Sequence, residues 1–143
     1  MSSRNEHSSL YESDQPTGMS SLIPIEDKKI TIRSSVESIT LDEFCDKNKI
    51  KPEIIKVDIE GSEIELLKGS RRIMKQLKPV FFLSYHPEHI KEIGYRKDEI
   101  LTLLDELNYE IIDFKFRKPK TLKNNEYFIF PKSLNPRKFL HDL

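Results

Sequence analysis

The chain has 143 residues, room for one compact domain, and 36% of them are hydrophobic against 34% charged. Lys plus Arg and Asp plus Glu both number 24, so the net charge is zero and no global field draws the chain to nucleic acid or an anionic membrane. The lone cysteine, Cys45, excludes an internal disulfide and a multi-cysteine zinc site.

Residues 1–22 are rich in Ser and charge, and are expected to form a flexible N-terminal segment. The opening stretch MSSRNEHSSLYESDQPTG has no apolar signal-peptide core, and no run is long enough to span a bilayer. A reducing, cytoplasmic setting is therefore expected, with no membrane or nucleic-acid partner. Order should begin near Ile23. Ile30 and Ile32 alternate with Lys29, Thr31 and Arg33, which predicts a half-buried strand that Val36 and Ile39 prolong. Residues 23–143 are read as one α/β unit.

Thr40-Leu41-Asp42-Glu43 is a capping-box pattern and predicts a helix to about Asn48 that buries Leu41, Phe44 and Cys45. Pro52 breaks the chain. Ile54 to Ile59 is a β-branched run, read as a central strand. Gly61 then allows a sharp turn into a helical stretch carrying Ile64, Leu67, Ile73, Met74 and Leu77, with Gly69 marking a kink or the join of two short helices. Pro79 to Leu83 is another apolar strand, followed by Ser84-Tyr85-His86-Pro87. Ile100, Leu103, Leu104 and Leu107 recur at amphipathic-helix spacing. Tyr109 to Phe116 and Glu126 to Phe130 are the last strands, joined by the basic, turn-like RKPKTLKNN.

Strands separated by helices predict a mostly parallel sheet, with one antiparallel strand at its edge because the last two lack a helix between them. Ligands of such sheets bind beyond the carboxyl ends of the strands. Two of these ends are polar. In Lys56-Val57-Asp58-Ile59-Glu60-Gly61-Ser62-Glu63, strand alternation would set Lys56, Asp58 and Glu60 on one side, and Glu63 in the first helical turn. Three carboxylates this close call for a cation, a proton or a ligand donor. In the plainer reading, Glu63 is an acidic helix start and Lys56 pairs with a neighbour. The second end offers His86 as a base or ligand, or as a loop histidine before the next helix; His89 favours the latter reading. Asp58, Glu60 and His86 together are compatible with a carboxylate and imidazole metal site, though no metal is assigned because the spacing does not require one. Cys45 reads as a core residue, and Arg117, Lys118, Lys120 and Lys123 as a solvated hairpin tip.

Ile39-Thr40-Leu41-Asp42-Glu43-Phe44, then Ile55-Lys56-Val57-Asp58-Ile59-Glu60-Gly61-Ser62-Glu63, then Leu66-Leu67-Lys68-Gly69, resemble the FkbM family of S-adenosylmethionine-dependent methyltransferases in order and spacing. The Pro79 strand with His86 and the Leu107-Asn108-Tyr109 helix end look similar as well, as does Ser20-Ser21-Leu22. The likeness spans roughly residues 20–131. It implies a class I, Rossmann-like methyltransferase sheet and methylation of an oxygen on a sugar or natural-product acceptor. It also implies catalytic roles for Asp58 and His86, and an acceptor side formed by Lys56, Glu60, Gly61 and Glu63. This acidic tip is expected to face a pocket for the donor nucleoside.

The family's glycine-rich cofactor turn and the acidic ribose residue after its second strand have no match here. None of the four glycines forms a GxG pair. The cofactor-binding residues are therefore unknown, and the chain is expected to represent the C-terminal half of such a domain. Ser84 stands where the family often has Glu. Besides methyl transfer, the sequence is compatible with a non-catalytic scaffold that associates with itself or a partner through an exposed sheet edge. A metal-dependent hydrolase built on Asp58, Glu60 and His86 is a third reading.

Overall fold

A computed structural model describes residues 6–13, 20–21, 30–96 and 98–141, with side chains from Ser35 onward. The fold is mixed α/β. Strands β1 (Glu6–Ser13), β2 (Ser20–Ser21) and β3 (Ile30–Ser38) form an antiparallel sheet in the order β2-β1-β3. The first 22 residues, expected as a loose segment, thus contribute two strands. The start of order placed at Ile23 lies outside the described residues.

Helix α1 (Leu41–Asn48) begins where Thr40 Oγ1 accepts the Glu43 amide at 3.1 Å, and it ends on Lys49 in the left-handed region. It buries Leu41 and Cys45. Gly69 divides the next helical stretch, giving α2 (Glu63–Lys68) and α3 (Arg71–Gln76). Asp42 joins α1 to α3. Its Oδ2 accepts the Arg72 amide at 2.8 Å and its Oδ1 the Ile73 amide at 2.9 Å. The α3 amides that no helical carbonyl can reach are satisfied in this way from another helix.

The second sheet has four strands: β4 (Ile54–Val57), β5 (Val80–Tyr85), β6 (Tyr109–Ile112) and β7 (Asn125–Pro131). Their order is β4-β5-β7-β6. β4 and β5 pair in parallel, while β7 is antiparallel to both β5 and β6. The expectation of mostly parallel pairing with an antiparallel edge strand is therefore corrected: one pairing of three is parallel, and the reversed strand lies inside. The chain returns from β6 without a helix, so β7 must oppose β6. Its Tyr127 and Ile129-Phe130 are buried and suit an interior slot between β5 and β6. The Ile54 run, read as central, is instead an edge strand in which Ile54 keeps 47% of its surface exposed. β6 also stops earlier than expected. Asp113 Oδ1 accepts the Lys115 and Arg117 amides and draws the chain into a turn.

Side-chain alternation divides the core between the two faces of this sheet. Phe81, Leu83 and Tyr85 of β5, with Tyr127 and Ile129 of β7, face the larger cluster, which holds Ile64, Leu67, Ile73 and Met74. The same cluster takes in Ile90 of α4 (Pro87–Glu92) and Ile100 and Leu104 of α5 (Glu99–Glu106). On the other face, Val80, Ile112 and Phe130 pack with Phe139 and Leu140 of α6 (Pro136–His141). Helices α4 and α6 carried no periodic signal long enough to predict. Tyr109 reaches through the core, its hydroxyl donating to the carbonyl oxygens of Pro79 at 3.0 Å and Met74 at 3.3 Å. No described helix is long and apolar enough to cross a membrane.

Asp42→Ala is expected to destabilise the fold by about 1–2 kcal/mol, the usual cost of losing a helix N-terminal cap. Phe81→Ala should cost about 3–5 kcal/mol, because Phe81 is fully buried and the space left cannot close. Urea unfolding of both variants against the parent measures the two differences.

Candidate functional site

Parallel pairing of β4 with β5 sets Val57 opposite Leu83, so both strands end at the same rim of the sheet. The residues just past those ends, Asp58 to Glu63 and His86, therefore meet although they are distant in sequence. Extended alternation does not continue to Glu60. β4 stops at Val57, and the chain turns through Glu60 at φ 48° and Gly61 at φ 104°. Left-handed backbone at Gly61 suits a residue without Cβ; at Glu60 it is a strained position that the surrounding turn holds in place.

The turn delivers Glu63 to the interior. Glu63 is fully buried, at 0% exposure. Its Oε1 accepts the Gly61 amide at 3.1 Å and lies 2.6 Å from His86 Nδ1. Its Oε2 is buried without a hydrogen-bond partner, and so is the Tyr85 hydroxyl. Burial pushes the Tyr85 phenol up to about 12, with further contributions from the Glu63 carboxylate and Tyr127.

Because a carboxylate sits on Nδ1, His86 is held with Nε2 outward, 3.8 Å from Glu60 Oε1 and 3.9 Å from Asp58 Oδ1. The second oxygens of those carboxylates are engaged elsewhere. Lys56 Nζ is 3.6 Å from Asp58 Oδ2, and His89 Nδ1 is 3.3 Å from Glu60 Oε2. The two imidazoles stack with centroids 6.0 Å apart. Side-chain exposure rises from zero at Glu63 through 16% at His86 and 23% at Glu60 to 45% at Asp58. The cluster thus runs from a dry base to a wet mouth.

All six expected site residues, Lys56, Asp58, Glu60, Gly61, Glu63 and His86, fall in this one region. His89, read as a plain loop residue, joins them through Glu60; its place one helical turn beyond His86 was the available signal. Tyr85 was also missed, since an aromatic residue ending an apolar strand reads as core. A hollow of about 420 Å³ lies at the opposite rim of the sheet, lined by Met74, Lys78, Leu107, Asn108, Pro131 and Lys132. Cys45 is buried, which pushes its thiol up, consistent with a core role.

The arrangement can orient an imidazole, take a proton at Nε2, or gather a cation among Asp58, Glu60 and His86. Glu63→Ala leaves His86 Nδ1 and the Gly61 amide without their acceptor and should cost about 3 kcal/mol on urea unfolding. In an alkaline ultraviolet titration, Tyr85→Phe should remove a phenol ionising near pH 12. The sign follows from a folded-state value raised above the ordinary 10.0. This group's contribution is intact below pH 10 and declines as pH rises towards 12.

In a comparison with known families, the model described as Methyltransferase FkbM domain matches residues 2–111. The match starts earlier and ends earlier than the stretch over which the motifs were recognised, and it includes the β1–β3 sheet. No curated protein and no solved structure gives a significant match.

Proposed function

Because the chain belongs to the FkbM methyltransferase domain family, we propose that its acidic rim activates an acceptor hydroxyl for methylation by S-adenosylmethionine in the cytoplasm. The single observation that carries this reading is the Glu63–His86 contact of 2.6 Å, which turns His86 Nε2 towards the open side of the site. The strand order β4-β5-β7-β6, with β7 reversed inside, supports a Rossmann-like methyltransferase sheet. A sugar or natural-product hydroxyl suits a shallow rim lined by carboxylates, which accept hydrogen bonds from neighbouring hydroxyls.

S-adenosylmethionine, when bound, supplies a methyl group on a positively charged sulfur. His86 Nε2 takes the acceptor's hydroxyl proton. Loss of that proton would leave the acceptor oxygen nucleophilic and the imidazole positively charged. Glu63 holds the ring and stabilises that charge, while Asp58 and Glu60 orient the acceptor and add negative potential at the mouth. The residues present fit the acceptor side. They do not fit the donor nucleoside, because the 143 residues contain no glycine-rich strand-turn-helix. We assign that cradle to polypeptide outside these residues. The open edge of β4, with Ile54 exposed, suits a further strand added in register.

Calorimetry with S-adenosylmethionine and transfer of a labelled methyl to sugar acceptors test this reading. Binding is expected once a glycine-rich half-domain is supplied, encoded upstream or as a second chain. In that assembly His86→Ala should lower transfer about 10²–10⁴-fold. No donor binding either by the chain alone or with the added half removes the reading.

A further inference from the structure

We propose that Asp58, Glu60 and His86 form a divalent-cation site, a manganese-class centre in which Glu63 sets the histidine from behind. Asp58, Glu60 and His86 each offer one ligand atom, and the three atoms lie within 4.8 Å of one another. Spacing of this kind lets one ion touch all three after small side-chain adjustments. The inner oxygens, Asp58 Oδ1 and Glu60 Oε1, face His86 Nε2, whereas the outer oxygens are held by Lys56 and His89. The ligand atoms are thereby sorted from the tethering atoms.

The buried carboxylate behind the histidine bears on the same site. Glu63 reaches the cluster from the dry side, fully buried, with Oε2 unpartnered. A buried carboxylate with an unused oxygen is costly unless positive charge stands nearby. Its Oε1 lies 2.6 Å from His86 Nδ1, which leaves Nε2 turned towards the two inner carboxylate oxygens. Metal-ligating histidines ordinarily have this backing, a carboxylate on the far ring nitrogen. Among the described residues, the ion pairs of these three carboxylates include one ammonium, Lys56, whose side chain is 62% exposed. A divalent ion would offset the remaining negative charge.

Two carboxylates and one imidazole, with the solvent side open, favour manganese over calcium or magnesium, which prefer all-oxygen shells. The open positions face solvent at Asp58, so a hydroxyl-bearing ligand can join the ion from there. The use of such a ligand rests on the methyl-transfer reading. There His86 Nε2 would serve as a ligand in place of the base role given above, the ion would make the acceptor hydroxyl acidic, and its proton would leave to water.

Electron paramagnetic resonance of manganese(II) titrated into the full chain tests the site. One ion per chain is expected, with spin-echo modulation from a coordinated imidazole nitrogen, a signature read on the unaltered protein. His86→Ala should abolish that modulation, and Asp58→Asn should weaken binding at least tenfold. Glu63→Gln should weaken it about tenfold by loosening the ring. His89→Ala should keep the modulation. Circular dichroism confirms that each variant is folded. Absence of binding at millimolar manganese, bound ion without nitrogen coupling, or modulation that survives His86→Ala overturns the site. If manganese binds as described and no methyl is transferred, the functional reading falls and the site stands. If the assembled protein transfers methyl undiminished after chelation and binds no manganese, the site falls and the function stands.

Discussion

Pairing of β4 and β5 in parallel is the constraint on which the rest depends. It brings two chain segments to one rim in a fixed register, Val57 against Leu83, so Asp58 and His86 leave the sheet side by side. A parallel neighbour cannot be reached by a tight hairpin; the crossover runs through α2 and α3 on one face. Those helices bring Ile64, Leu67, Ile73 and Met74 over β5, and the same crossover places Glu63 beneath the rim. Core packing and site geometry are therefore set by one connection. Loosening β5 would open the buried cluster and separate the imidazole from its carboxylates together.

The rim combines features of opposite thermodynamic sign. Glu63 is desolvated and half-satisfied, Glu60 has a left-handed backbone, and Tyr85 buries a hydroxyl without a partner. Each costs stability. The apolar run of β5, buried along nearly its whole length, offsets them. Local destabilisation next to a firm strand is the usual setting for chemistry, because preorganised polar groups must be held against their preference for water.

Much of this was legible in the sequence because it rests on local rules. Thr40 capped α1 as its spacing indicated, Gly69 divided the second helical stretch, and the β-branched and aromatic runs became β4 and β5. The grouping of Asp58, Glu60, Glu63 and His86 followed from the rule that sites gather beyond carboxyl strand ends. Long-range choices were not legible. A hairpin return says that β7 opposes β6, but not whether it lies outside β6 or between β6 and β5; that depends on burial of Tyr127, Ile129 and Phe130 against both neighbours. Residues 6–13 were opaque for a different reason. Ser and charged residues dominate them, and only pairing with β3 makes a strand of such a segment.

Asp42 bears on how the family's motifs should be understood. In the string TLDEF it looks like one more acidic residue near a site, yet both of its oxygens are occupied by amides of α3, on the helical side of the sheet. Its task is mechanical, a rivet between two helices. A relative could keep that letter, fold in the same way and be chemically silent. The letters that separate a working descendant from an inert one are those with no structural excuse, above all a carboxylate sunk where water cannot reach it.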